Sequence, residues 1–349
     1  MDKKISCVFA GLLLIASAAI LLLQYPSTPA PPVDNVSSYY TVRVLDGGNI
    51  SIDAIGLNPE SFPALDGATS TQPVRSLIAC EAFGGSCKNW YESEGREMFL
   101  YADMSPSGLS EKEKETLGLK YEKNSKTHDA YLGLIRGDAD LILVSTLPSL
   151  DELLEAKEQG VILEATPIGL DGFIFLVNVE NPVENLNTAD IVDVYSGKVN
   201  NWKKYTGHDA PIRPFTRQTN SGSQELMEKL LMKGTPIKSS YKEELMIMSM
   251  SPLIEGIEQY NNSIGYSLYY YKNNMIDNRE HRPDVKLISV DGVTPSPETI
   301  ASKKYPHTFN IYAVTRTNET GSPAYQLKKW LTGTEGQEII RKAGYAVLA

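Results

Sequence analysis

The sequence predicts an α/β protein, and three observations carry that expectation. Two short runs, Leu141-Ile142-Leu143-Val144 and Phe173-Ile174-Phe175-Leu176-Val177, are apolar at every position. Unbroken apolar runs of this length read as strands covered on both faces, the normal state of strands in α/β sheets. Helical patterns alternate with such runs along the chain, whereas a sandwich would show strand after strand. Finally, 349 residues are enough for two domains. The apolar fraction of 42% is ordinary for a globular chain. A formal net charge of −10, with no basic patch, argues against a nucleic-acid partner.

The chain does not begin as a globular sequence. Lys3 and Lys4 precede an uncharged run from Ile5 to Leu23, long enough to approach a membrane span. The lysines place the N-terminus in the cytoplasm and the body outside. Ala16-Ser17-Ala18 offers the small residues of a cleavage site, yet Ala19 to Leu23 continue the apolar run. The expectation is a single-pass membrane anchor over residues 1–24, with a cleaved signal peptide as the alternative. Residues 25–39, with Pro26, Pro29, Pro31 and Pro32, read as a semi-rigid spacer. Cys7 lies in the anchor, and Cys80 and Cys87 lie beyond it. Outside the cytoplasm such a pair can oxidise, so a Cys80–Cys87 disulfide is expected, with two reduced thiols as the alternative.

In chain order, Thr41–Leu45 and Ile50–Ile55 flank Asp46-Gly47-Gly48-Asn49, a hairpin pattern. Asp66-Gly67-Ala68-Thr69-Ser70-Thr71 then leads into a helical run from Gln72 to Phe83. Glu111 to Glu115 form a charge run that reads as a solvated helix face. Thr127 reads as the cap of a helix over His128–Arg136. The apolar run Leu141–Val144 ends in Ser145-Thr146, and open α/β sheets place ligand groups at such strand ends. A helix follows from Ser149 to Gln159, then the apolar run Phe173–Val177. Thr188 reads as the cap of a helix through Tyr195, which Ser196-Gly197-Lys198 breaks. Further helices are expected near Pro252–Tyr260 and over 323–332 and 335–343, and further strands at Ile264–Ser267, 284–290 and 308–316.

One stretch points to chemistry. Arg217-Gln218-Thr219-Asn220-Ser221-Gly222-Ser223-Gln224 sits between a β-like run, Pro211–Phe215, and a helical one, Glu225–Leu231. The first N–H groups of a helix have no internal partner, and the aligned peptide dipoles make that end positive. Gly222 allows close backbone approach, Ser221 and Ser223 add hydroxyls, and Arg217 adds a planar fork of charged donors. Together these make an anion cradle. Ala68, Thr69, Ser70 and Thr71 repeat the device at a second helix start. The plainer reading is that Ser221 and the threonines cap helices and Arg217 is a solvated charge. Catalysis has less support. No G-x-S-x-G elbow surrounds Ser221 and no H-E-x-x-H, Cys-x-x-Cys or Walker loop is present; His128, His208, His281 and His307 lie in polar sequence and read as surface residues rather than catalysts. No enzyme, metal or cofactor is expected.

Taken together, several stretches resemble the phosphate-binding proteins of high-affinity phosphate ABC transporters. They are Gly169 to Asn178, Asn181-Pro182-Val183, Asp190 to Lys198 with Asn201-Trp202, and Asp66 to Thr71. Arg217 with Ser221-Gly222-Ser223, and Thr334 to Glu338 with Gly344-Tyr345, match as well. The similarity runs from about residue 60 to the end. It implies a type II periplasmic-binding-protein fold, with two α/β lobes joined by two crossovers. Lobe I would comprise 40–168 with 268–349, and lobe II 169–267. It also implies an extracytoplasmic protein with a monomeric body that holds phosphate or a similar oxyanion between the lobes for an ABC permease. The alternative is an anchored sensory or structural ectodomain with weak or no anion binding. Where the family usually keeps an Asp, after the strand Leu141–Val144, this chain has Ser145 and Thr146. Asp66 or Asp171 would then be the acceptor for a proton on the anion.

Overall fold

A computed structural model describes residues 36–91, 98–277 and 284–348. The predicted anchor, most of the spacer and His281 lie outside them. Among the described residues no helix is long and apolar enough to cross a membrane.

The chain enters at β1 (Tyr40–Val42), then β2 (Leu65–Gly67) and α1 (Gln72–Phe83). Gly84, in the left-handed conformation, closes α1. A hairpin of β3 (Ser86–Tyr91) and β4 (Met98–Asp103) packs on α1, and Cys80 at the end of that helix is disulfide-bonded to Cys87 on β3. Next come α2 (Glu111–Tyr121), α3 (Lys126–Arg136), β5 (Leu141–Val144), α4 (Leu150–Gln159) and β6 (Leu163–Asn178). Capping boxes start α2 at Ser110–Glu113 and α4 at Ser149–Glu152. β7 (Asn185–Leu186), α5 (Thr188–Tyr195), α6 (Lys203–Thr206), β8 (Arg213–Pro214) and β9 (Thr216–Arg217) lead to α7 (Gly222–Leu226). The helical path of α7 continues as a π-helical turn over Met227–Met232. After it come α8 (Ser239–Glu244), β10 (Met246–Ile247), α9 (Met250–Gln259), β11 (Ser263–Leu268), β12 (Val285–Leu287) and β13 (Ser289–Val290). The chain closes with α10 (Pro297–Ala301), β14 (Thr308–Arg316), α11 (Pro323–Trp330) and α12 (Thr334–Ala343).

Eight strands form one mixed sheet in the order β2-β5-β14-β6-β11-β8, with β1 and β12 also paired to β6. Its axis is β6. From Leu163 to Gly172 this strand runs antiparallel to β14, and from Phe173 to Val177 antiparallel to β11. The boundary expected between 168 and 169 thus falls inside one strand. All of β5, and all of β6 except Pro167, is buried. Burial of each large apolar side chain there contributes about 1.5–3 kcal/mol. The apolar runs are therefore the centre of the core, as their composition implies.

Two expectations need correction, and a strand pairing bears on the lobe boundary. Residues 41–55 are not a hairpin: β1 pairs parallel with β6, and Ile52–Ile55 is a short 3-10 turn. The Gly-Gly turn serves a remote partner instead. The Gly48 carbonyl accepts the Thr334 N–H at 2.9 Å, Ile52 N donates to Glu335 at 2.7 Å, and a Cβ at Gly47 would meet Gly333 N at 2.3 Å. Strand β12 lies antiparallel to Asn178–Leu176 of β6, and β13 pairs with β7. This part of the expected first lobe runs along the second half of the sheet. Secondly, His307 is not a surface residue. It is buried beside Phe175 and Tyr305, and burial lowers its pKa to about 4.

Candidate functional site

One cleft gathers most of the residues singled out above. Its cavity measures about 370 Å³ and is lined by Ala68, Thr69, Ser70 and Ser145 on one wall. Arg217, Ser221, Gly222 and Ser223 line the other. On the first wall, β2 and β5 run parallel, and the chain turns at Ala68 into a tight turn, Thr69–Thr71, that leads directly into α1. Ser70 Oγ and Ser145 Oγ stand 3.4 Å apart, so the strand end and the helix start present their hydroxyls side by side. Thr71 faces away. Its hydroxyl donates to the Leu143 carbonyl at 2.7 Å and accepts from Arg75 at 2.9 Å, which staples the turn to β5. Thr146 does not line the cleft either; its carbonyl accepts the Tyr131 hydroxyl at 2.7 Å.

On the second wall Arg217 is only 7% exposed. Its Nε donates to the Ile247 carbonyl at 3.0 Å, one terminal nitrogen to Ser223 Oγ at 3.2 Å and the other to the Met248 carbonyl at 3.3 Å. A guanidinium carries five N–H donors, so one on each terminal nitrogen is left for the cleft. The backbone N–H of Arg217 is held by the Tyr266 hydroxyl and Gln224 Oε1. Desolvation pushes the Arg217 pKa down, yet an arginine keeps its proton, so this wall carries a buried, oriented positive charge. Ser221 Oγ caps α7 by accepting the Gln224 N–H at 3.3 Å. Capping and lining thus coexist in this residue.

Sequence reasoning missed a third helix start. Asn124, Lys126, Thr127, His128 and Asp129 also line the cavity. Thr127 does not cap α3: Ser125 precedes the helix, and Lys126 holds a left-handed φ of 69°. A Cβ at Gly222 would lie 2.6 Å from Thr127 Oγ1, so only glycine lets the two walls approach there. The signal was present, since Asn124-Ser125-Lys126-Thr127 is another polar turn ahead of a helical run. Explaining Thr127 as a cap hid it. Gln218 and Asn220 of the cradle stretch also line the cavity, and Ser249, Met250, Leu268 and Tyr271 complete the lining.

The two candidate acceptors do not line the cleft. Asp66 accepts N–H bonds from Gly67 and Ser125, both at 2.8 Å, and pairs with Lys123 at 3.5 Å. It ties the first helix start to the third. Asp171 accepts the N–H groups of Gly172 at 2.7 Å and Tyr270 at 3.0 Å. Burial raises its pKa to about 7. Asp129, which is exposed, is the one carboxylate among the described lining residues. His128 pairs with the buried Glu152 at 3.0 Å, and that hydrogen bond raises the imidazole pKa. Among the described residues no group of His, Cys, Asp and Glu is arranged to hold a metal.

Residues 105–332 match the sequence profile of the PBP superfamily domain. The phosphate-binding protein PstS of Borreliella burgdorferi is 28% identical over 238 residues, 65% of this chain and 82% of that protein. The phosphate-binding protein PstS of Bacillus subtilis is 25% identical over 199 residues, 56% of this chain and 62% of that protein. A solved structure of a putative phosphate ABC transporter substrate-binding protein with bound phosphate, from Clostridium perfringens, superposes with a TM-score of 0.56 at 21% identity. It covers 82% of this chain and 98% of its own. An ABC-type phosphate transport receptor from Vibrio cholerae superposes with a TM-score of 0.55 at 18% identity, covering 81% and 99%. At those identities the structures speak for the fold, an α/β architecture of the type II periplasmic-binding-protein kind. Because the matched profile spans more than half of the chain, the protein belongs to the PBP superfamily.

Proposed function

We propose that this chain captures phosphate, or an oxyanion of the same tetrahedral shape, in the cleft and presents it to an ABC permease outside the cytoplasm. The observation that carries this reading is the convergence of hydroxyl-bearing helix starts from both walls on the buried Arg217. A tetrahedral anion has four oxygens to satisfy, and the two walls offer donors from opposite sides. The names of the relatives, phosphate-binding proteins and phosphate-transport receptors, support the same reading. They also support a binding protein over an enzyme. Calorimetric titration of the body with phosphate is the direct test. Arg217→Ala removes a charge-assisted contact from a desolvated site and should weaken binding by about 2–4 kcal/mol. An unchanged dissociation constant would remove Arg217 from the site, and no binding by the wild type would favour the sensory or structural ectodomain.

The remaining parts of the reading belong with this proposal. Lobe I is 40–168 with 268–349 and lobe II is 169–267, and the pairing of β12 and β13 supports moving 285–290 to lobe II. Ile5–Leu23 stays attached as the membrane anchor, with the N-terminus cytoplasmic. Intact-mass analysis of detergent-extracted protein tests this: a mature N-terminus near Ala19 or in the spacer contradicts it. The body is monomeric, which sedimentation analysis checks.

A further inference from the structure

The two walls also meet at the rim of the anion cradle. Lys229, on the π-helical turn after α7, reaches to the opposite wall just ahead of α4. Its Nζ lies 3.0 Å from the Pro148 carbonyl and 3.4 Å from that of Leu147. The same ammonium pairs with Glu225 at 2.8 Å. Beside it Asn220, in the left-handed conformation at φ 64°, donates to Asp151 on α4 at 2.8 Å. The next residue of α4 is the buried Glu152, paired with His128. Glu225, on the other wall, is also buried and lies near enough to add its repulsion to the desolvation that raises the Glu152 pKa. Each wall thus contributes a buried carboxylate here, Glu225 paired with the Lys229 ammonium and Glu152 hydrogen-bonded to His128.

We propose that Lys229 is a positioning residue that sets how tightly this cleft stays shut, although it does not line the cavity. The proposal rests on the reading of the cleft as a site that closes over an anion. An exposed ion pair by itself contributes little to stability. Lys229 differs because of what its loss would leave. Glu225 would be an unpaired buried charge, and the Leu147 and Pro148 carbonyls would lose a donor from the opposite wall. Opening relieves both defects by letting water reach the carboxylates. The closed population therefore falls, and apparent affinity falls with the fraction of competent molecules. Lys229 acts on that population, while Arg217 acts on the bound anion itself.

The test reads wall separation with and without inorganic phosphate. Full-length protein carries Cys7→Ser and a fluorophore pair at Glu158 and Lys203, both exposed, one on each wall. In Lys229→Met the ligand-free energy transfer should fall. Phosphate affinity should drop tenfold or more. Adding Glu225→Gln removes the unpaired charge and should restore both readings toward the wild type; simple loss of packing would not be rescued this way. Unchanged ligand-free transfer in Lys229→Met overturns the proposal, and so does failure of Glu225→Gln to rescue. The ligand-free reading stands apart from the choice of anion. A shift in transfer without any phosphate binding by the wild type would sink the phosphate reading and keep the latch.

Discussion

Asp171 holds two backbone N–H groups from separate segments, Gly172 on β6 and Tyr270 just past β11. Burial raises its pKa from the usual 3.8 to about 7. The unfolded chain releases this proton near pH 3.8 and the folded chain near 7, so stability is full below the lower value and is lost as pH rises through that window. Asp171→Asn keeps the acceptor for both N–H groups and imitates the protonated acid. It should match the wild type near pH 4 and exceed it by about 2–4 kcal/mol at pH 8. Urea unfolding at the two pH values checks this, and an unchanged pH profile would show that Asp171 is not the titrating group. Ser145 carries a second residue-scale prediction. Hydrogen phosphate brings a proton and sulfate does not, and a buried carboxylate acceptor can separate such a pair by about 10⁴–10⁵. The hydroxyl of Ser145, beside that of Ser70, can donate or accept. Phosphate should therefore be preferred over sulfate by less than roughly 10³. Ser145→Asp should widen the ratio at least tenfold. Competition calorimetry decides: a wild type that rejects sulfate by 10⁵ must have a carboxylate acceptor in the cleft other than at position 145.

At the scale of elements, the disulfide joins the end of α1 to β3 across a sequence separation of 7. So short a loop constrains the unfolded chain modestly, and replacing both cysteines by serine should lower stability by roughly 2–3 kcal/mol. Chemical denaturation measures it; an unchanged midpoint would mean the hairpin and α1 are held by other contacts alone. The elements legible in the sequence are those whose signals are local. α1 occupies the predicted Gln72–Phe83, and β5 the predicted Leu141–Val144. The helix expected from Ser149 begins with Ser149 as its cap. Apolar runs and caps act within a few residues of themselves. The failures are non-local. Asp46-Gly47-Gly48-Asn49 has hairpin chemistry, but its partner Thr334, bonded to Gly48 and Asn49, comes from the far end of the chain. β9 and β10 are two residues each, too short to leave a periodic trace, yet that pairing sets the segment whose carbonyls hold Arg217. The place of Arg217–Ser223 on the cleft wall was legible for the opposite reason, since its polar residues lie together in one stretch.

For the molecule as a whole, the alternation of elements fixed an α/β class, while the way one strand, β6, serves both halves of the sheet had no sequence mark. The formal charge of −10 was equally plain to read, and it has a kinetic consequence. A phosphate dianion approaching an acidic body is repelled at long range, and the attraction of Arg217 and the helix starts is short-ranged and buried. Salt screens the first over about 8–10 Å at physiological ionic strength and hardly touches the second. Association should therefore speed up as ionic strength rises from about 10 mM to 150 mM. If Arg217 holds the anion as proposed, dissociation should change little, because that buried guanidinium is shielded from added ions. Stopped-flow mixing of the labelled body with phosphate across that range measures both rates. An association rate that falls steeply with salt would mean that exposed cations near the cleft, Lys126 first among them, outweigh the body and steer the anion in; Lys126→Ala would then abolish the salt dependence.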